Sequence, residues 1–129
     1  MHAMGERVDT ATERSSDATP SIGIVGGTGS LGRGLARRLA AAGLHVTIGS
    51  RDPARAQRCA GELGAPVLAA SNEQACACDL VIIAVPWSAH SETLAELAPA
   101  LKGQIVIDAV NPIAVDERGP YALPVEAGS

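Results

Sequence analysis

Aromatic residues are nearly missing from this sequence, which has no Phe, one Trp and one Tyr in 129 residues. Any core must therefore come from Ala, Val, Ile and Leu, since apolar residues still make up 47% of the chain. Small aliphatic side chains suit a parallel sheet with helices packed closely on both faces. Cysteine is also scarce. Cys59, Cys76 and Cys78 are odd in number and lack framework spacing, which argues against a disulfide scaffold and fits a reducing cytoplasm. The Cys-x-Cys pair has no companion Cys or His at zinc-site spacing, so small buried or half-buried thiols are expected and no metal. No apolar run reaches the ~20 residues of a membrane span. The polar N-terminus shows no signal-peptide apolar region. Basic charge is in short supply as well, and the formal net charge is −4. That balance speaks against nonspecific attraction to nucleic acid or to an anionic membrane.

The length suits one domain. Residues 1–20 are charged, rich in Ser and Thr, and without periodicity, so they read as a disordered leader closed by Pro20. From Ser21 the pattern changes. Ser21 to Val25 reads as a strand, and the apolar spacing predicts a helix from Ser30 to Ala42 with Gly43 as its stop. A second strand follows at His45 to Ile48, then a helix from Pro53 to Leu63 with proline in its first turn. Pro66 to Ala69 gives a weak third strand and Glu73 to Cys76 a short helix. The unbroken apolar run Leu80 to Val85 predicts a buried central strand. A helix over Ser88 to Leu101 and a fifth strand over Ile105 to Val110 complete the pattern, which Asn111-Pro112 ends. Alternating strands and helices signal an α/β, doubly wound open parallel sheet of the Rossmann type, here a single domain over 21–112. Residues 113–129 read as an irregular C-terminal tail.

Gly27-Thr28-Gly29-Ser30-Leu31-Gly32 fits G-x-G-x-x-G. The string is weak alone, but here a strand precedes it, a helix starts inside it and a second strand follows, as a dinucleotide fingerprint requires. In this reading Gly27 permits the tight turn, Gly29 leaves room for a pyrophosphate, and Gly32 lets helix and strand approach. Amide N–H groups at the helix start face the phosphates, and Thr28 and Ser30 add hydroxyls. A structural glycine turn that binds nothing is the bland alternative.

The second strand separates the two nicotinamide cofactors. NAD-binding versions carry an Asp or Glu near its tip, about 20 residues after the glycines, to accept from the ribose 2′-hydroxyl. Here the tip reads Ile48-Gly49-Ser50-Arg51. A hydroxyl and a guanidinium hold a 2′-phosphate by charge-assisted bonds where a carboxylate would repel it. Arg55, four residues on, reaches the same place; a solvated surface pair is the weaker explanation. Asp52 follows as a helix cap. The expected cofactor is NADP(H).

Ile24 to Ala36, Gly49-Ser50-Arg51, Ala84-Val85-Pro86-Trp87 and Asn111-Pro112 together resemble the N-terminal domain of NADPH-dependent coenzyme F420 reductases. That family sits in a superfamily with pyrroline-5-carboxylate reductases. The resemblance spans about 90 residues, and the Trp after the fourth strand adds specificity. It implies that Thr28, Gly29, Ser30 and Leu31 contact the pyrophosphate. Ser50, Arg51 and Arg55 would take the 2′-phosphate, and Val85 and Asn111 would line the nicotinamide side. The implied chemistry is hydride transfer between NADPH and coenzyme F420. Two cofactors then react, so the protein aligns rings and no catalytic acid or base is assigned. His90 reads as a surface or helix-turn histidine rather than a catalyst. Trp87 either walls the ring pocket or packs its helix. Relatives continue beyond this point with a part that, by the resemblance, completes the F420 pocket and the dimer contact. An open sheet edge and an uncovered apolar face are therefore expected, favouring a homodimer or a covering partner chain. Two other functions stay open: an NADPH-dependent imine or carbonyl reductase, and a non-catalytic NADPH-binding module acting with a partner.

Overall fold

The computed structural model describes residues 19–126. The expected leader, apart from its last two residues, and the last three residues of the tail lie outside them. The elements are β1 (Ser21–Val25), α1 (Ser30–Ala41), β2 (His45–Ser50), α2 (Pro53–Glu62), β3 (Val67–Ser71), α3 (Asn72–Ala75), β4 (Leu80–Ile83), α4 (His90–Leu97), β5 (Ile105–Asp108), β6 (Ile113–Asp116) and β7 (Gly119–Ala122). Five of the strands form one parallel sheet in the order β3-β2-β1-β4-β5. The chain leaves β1 toward one edge and returns to β4 on the other side. β1 and β4 therefore flank the point where the direction of winding reverses, and in open α/β sheets ligands bind outside the carboxyl ends there.

Strand alternation sends side chains to two separate cores. Ile22, Ile24, Val46, Ile48 and Ile82 meet Ala36 and Ala40 of α1 and Cys59 of α2. On the opposite face Val25, Val81 and Ile83 meet Cys76 and Leu97. Among the described residues the largest fully buried side chains are Ile, Val and Cys. Helices can approach this closely because no aromatic ring separates them from the sheet.

Local chemistry sets the element ends. Gly43 adopts φ 89°, and Leu44 N–H donates to the Leu39 carbonyl at 3.1 Å, a Schellman-type stop. Pro53 occupies the first turn of α2, and Ser71 with Gln74 forms a reciprocal capping box on α3. Several expectations need correction, among them β4 and β5, which end at Ile83 and Asp108, two residues before the expected Val85 and Val110. β2 runs on to Ser50 and β3 to Ser71, because their parallel pairing continues to Ser50 opposite Ser71. The helix expected from Ser88 is split: a 3₁₀ turn at Trp87–Ala89, the α4 helix proper, and a second turn at Ala98–Ala100 that carries Pro99. The tail expected to be irregular contains the antiparallel hairpin β6–β7, whose tight turn carries Gly119 at φ 115°. Pro120 and the lack of length hid that pairing from a reading based on periodicity.

Candidate functional site

The carboxyl ends of β1, β2, β4 and β5 open onto one cleft of about 690 Å³. Nine of the ten residues singled out from the sequence line it: Thr28, Gly29, Ser30, Leu31, Ser50, Arg51, Arg55, Val85 and Asn111. Gly27 does not. It is buried behind the loop, where a Cβ would lie 2.6 Å from Ile48 Cβ. The expected tight turn at Gly27 belongs instead to Gly26, which has φ 74°. Gly27 serves close approach to β2, reinforced by its N–H bond to the Gly49 carbonyl at 2.9 Å.

The loop's other glycines divide by what surrounds them. A Cβ on Gly32 would meet the Gly27 backbone at 2.6 Å, so that glycine is demanded by helix–strand contact. A Cβ on Gly29 would find only the Gly26 carbonyl oxygen, at 3.7 Å. Gly29 is exposed and lines the cleft; the protein's own packing does not require it.

Helix starts differ in the same way. Asp52 caps α2 by accepting from the Ala54 and Arg55 amides, and Ser71 caps α3 by accepting from the Gln74 amide. The α1 helix follows Gly29 as its N-cap residue, with no side-chain cap and no acid in its first turn. Its first amide donors and the positive end of its dipole thus face the cleft uncompensated, the arrangement that suits an anion.

At the tip of β2, Ser50 is 7% exposed and is the buried polar residue among the described residues. Its Oγ accepts from the Asp52 amide at 3.1 Å, which leaves its hydroxyl proton to donate outward. Arg51 and Arg55 are exposed beside it, and neither forms an ion pair among the described residues. A shallower concavity behind Thr28 and Arg55 adds Arg33 and Arg58. Arg33 is committed to Glu62 at 3.0 Å, and that hydrogen bond raises its pKa further.

Asn72 escaped sequence reasoning. Its Oδ1 accepts from the Gly26 amide at 3.2 Å, fastening the glycine loop to the start of α3, and the residue also lines the cleft. The available signal was Ser71-Asn72-Glu73-Gln74, a capping box placed directly after β3.

Beyond β4 and β5 the cleft wall is Val85, Pro86 and Trp87 on one bank and Ala109, Val110 and Asn111 on the other. Trp87 stacks on His90 with ring centroids 5.3 Å apart and planes at 22°. His90 Nε2 lies 2.7 Å from Asp108 Oδ2. His90 itself is absent from the cleft lining. The thiols Cys59 and Cys76 are buried and Cys78 half-buried, all three free. Burial pushes the Cys76 thiol pKa up, which makes it a poor nucleophile.

Residues 21–112 match the family model described as NADP oxidoreductase, coenzyme F420-dependent. The chain belongs to that family. It is 39% identical over 100 residues to the F420-dependent NADP reductase of Methanothermobacter thermautotrophicus, covering 71% of this chain and 43% of that protein. It is 40% identical over 100 residues to the Methanothermobacter marburgensis reductase of the same name, covering 71% and 45%. The crystal structure of a hypothetical protein, SMa0349 from Sinorhizobium meliloti, superposes with a TM-score of 0.62 and 32% identity, covering 84% of this chain and 52% of that one. This chain thus spans less than half the length of the curated relatives it matches. Among the described residues no helix is long and apolar enough to cross a membrane.

Proposed function

We propose that this chain binds NADP(H) as the nucleotide-holding part of an enzyme that passes hydride between NADPH and coenzyme F420 in the cytoplasm. The observation that carries this is the tip of β2. A buried serine hydroxyl with a proton to give stands next to Arg51 and Arg55, where an NAD site would carry an acid. Ser50, Arg51 and Arg55 hold the 2′-phosphate. The uncapped start of α1, with Thr28, Ser30 and the open face of Gly29, takes the pyrophosphate. Val85 and Asn111 border the nicotinamide.

Bound NADPH supplies a transferable hydride, so the chain's own residues need only align the ring and keep water from it. The lining is consistent with that division. Its ionisable side chains are Arg51, Asp52 and Arg55, all at the β2 end. The opposite end presents Thr93, Asn111 and apolar groups. Both reductions consume one proton with the hydride: a carbonyl or imine takes it on the atom next to the hydride-accepting carbon, whereas a deazaflavin spreads the incoming charge over its ring and takes the proton from solvent on a ring nitrogen, so it can dispense with a protein acid. This favours F420 as the acceptor over an imine or carbonyl. Coenzyme F420 would stack across the Val85–Asn111 end, and its remaining wall would come from a second copy or partner chain laid along β5, whose Ile105, Val106 and Ile107 are exposed.

A side-by-side fluorescence titration with NADPH and NADH, repeated on Arg51→Ala, tests the reading. NADPH should bind at least ~10-fold tighter, about 1.4 kcal/mol, and the mutation should erase the gap. Equal affinities in the unmodified protein would overturn it. Loss of deazaflavin absorbance on adding NADPH then tests the acceptor. Tight, NADPH-selective binding without turnover, alone or with the partner, would mark a non-catalytic module instead.

A further inference from the structure

Asp108 ends β5 and uses its two carboxylate oxygens in different directions. Oδ2 lies 2.7 Å from His90 Nε2; because a carboxylate only accepts, the imidazole donates. Oδ1 accepts from the Val110 amide at 3.1 Å. His90 in turn carries Trp87 on its face, with centroids 5.3 Å apart and planes at 22°. Trp87 and Val110 stand on opposite banks of the cleft. One carboxylate therefore ties both banks together at the end away from Ser50 and Arg51.

Trp87 needs such support. It opens a 3₁₀ turn that has no side-chain cap, and it is half-buried rather than locked in the core. The apolar cluster below it gathers Val85, Leu94 and Val110 around Ile83 and Leu97, without Trp87 among them. Offset stacking on an imidazole that is itself fixed by a hydrogen bond gives the indole one preferred orientation. His90 touches the wall and not the cleft, which separates it from a catalytic residue.

We propose that His90, anchored by Asp108, is a positioning residue that holds Trp87 as a rigid side wall for the ring end of the bound dinucleotide. The proposal rests on the reading of this cleft as an NADP(H) site. Without His90 the indole would sample several rotamers, and a nicotinamide beside it would lose its fixed edge. The wall would matter most for the ring, whereas the 2′-phosphate contacts would keep their share of the affinity.

Trp87 is the sole tryptophan of the chain, so its emission reports this clamp without any ligand. The experiment compares the unmodified protein with His90→Ala, His90→Gln, Asp108→Asn and Arg51→Ala. It uses acrylamide quenching and emission anisotropy first, then titration with NADPH and with 2′-phospho-AMP, which lacks the nicotinamide. His90→Ala should raise the quenching constant about twofold and lower the anisotropy, since an aromatic contact is lost. His90→Gln, whose amide still donates toward Asp108 but offers no ring to stack on the indole, should fall between the unmodified protein and His90→Ala. Asp108→Asn should shift it in the direction of His90→Ala, and supplies the test if that variant fails to fold. NADPH affinity should fall about fivefold or more in His90→Ala while 2′-phospho-AMP affinity stays within about twofold. Arg51→Ala should show the reverse, with both ligands weakened and the tryptophan signal intact.

Unchanged quenching in both His90→Ala and Asp108→Asn would overturn the clamp. Changed quenching with NADPH and 2′-phospho-AMP weakened equally, or not at all, would overturn its role in holding the ring. If the unmodified protein binds neither ligand, the NADP(H) reading fails and this proposal fails with it. The tryptophan signal would then still show whether the side-chain stack exists.

Discussion

Around β1 and β2 the sheet is closed on both faces: Ile22, Ile24, Val25, Val46 and Ile48 are buried. Around β5 it is not. All four residues of that strand are exposed, with Ile105 at 66%, and the hairpin beyond it leaves Ile113, Val115 and Tyr121 open. The features assigned to the nucleotide's phosphates belong to the closed flank: the glycine loop, the uncapped α1 start and the Ser50 hydroxyl. The ring end of the cleft borders the open flank. Under the proposed function the contrast is a division of labour, in which this chain would hold the nucleotide and share the place where the second ring would dock. Each prediction below breaks or sharpens that division.

The largest effect is expected in the glycine loop. Gly29 has φ −79° and ψ 174°, an extended conformation that a β-branched residue adopts readily. Its Cβ would meet only the Gly26 carbonyl oxygen, at an ordinary contact distance of 3.7 Å. Gly29→Val should therefore fold with nearly the original Tm yet lose NADPH affinity by ~100-fold or more, because the added groups occupy the place of the pyrophosphate. Gly32→Ala should do the opposite in kind. Its methyl collides with the Gly27 backbone, costing about 1–3 kcal/mol of stability, visible as a lower denaturant midpoint. If Gly29→Val binds NADPH normally, the closed flank is not where the phosphates sit.

On the open flank, Ile105→Lys places a charge on the exposed edge strand. Self-association measured by sedimentation should weaken at least ~10-fold, as expected for a buried unpaired charge in a formed interface. NADPH affinity should hold within about twofold. A protein that is monomeric before and after the change would mean that no second copy covers β5. A fall in NADPH affinity would mean that the flanks do not divide the work as described.

A smaller effect should come from Ser50→Ala, which removes one hydroxyl donor while Arg51 and Arg55 remain. A single hydrogen bond to a charged group contributes about 1.5 kcal/mol, so NADPH affinity should fall about tenfold or somewhat more. NADH, lacking the phosphate, should be unaffected. Equal losses for both would show Ser50 holding the tip of β2 through the Asp52 amide rather than holding a phosphate.

How much of this could be read from the chain follows the same contrast. On the closed flank each residue answers to a local rule: apolar runs become strands, Gly43 stops a helix, Asp52 caps the next. Thr28, Ser30, Ser50 and Arg51 fall at fixed distances from strand ends, so sequence spacing alone brought them to one cleft. Asn72 and Asp108 were missed because their partners, Gly26 and His90, lie 46 and 18 residues away, and no periodicity encodes such a bond. The β6–β7 hairpin was missed for another reason. Four-residue strands rich in exposed positions carry no buried face to set an alternation. The glycines illustrate the limit of motif reading. G-x-G-x-x-G pointed to Gly27 for the turn, while the backbone requires it of Gly26, one residue earlier.

The smallest expected effect tests whether the two flanks are mechanically separate. Asp79 sits at the amino end of β4, the strand between them. Its Oδ2 accepts from the Ser21 amide at 2.9 Å and from Ser21 Oγ at 3.2 Å, and its own amide donates back to Ser21 Oγ at 3.0 Å. Its carbonyl accepts from the Ile105 amide at 3.2 Å. One residue thus joins the starts of β1, β4 and β5, at the edge of the sheet opposite the cleft. Asp79→Ala removes the side-chain bonds and leaves the carbonyl contact. Because the site is exposed and water replaces the lost partner, the cost should be only about 1 kcal/mol in denaturant unfolding. NADPH affinity should not move, since β1 and β2 remain paired through their own ladder and carry the proposed phosphate contacts. An affinity loss as large as the stability loss would mean that the nucleotide senses how β5 is held. The open flank would then act on the closed one through the sheet itself, before any partner covers it.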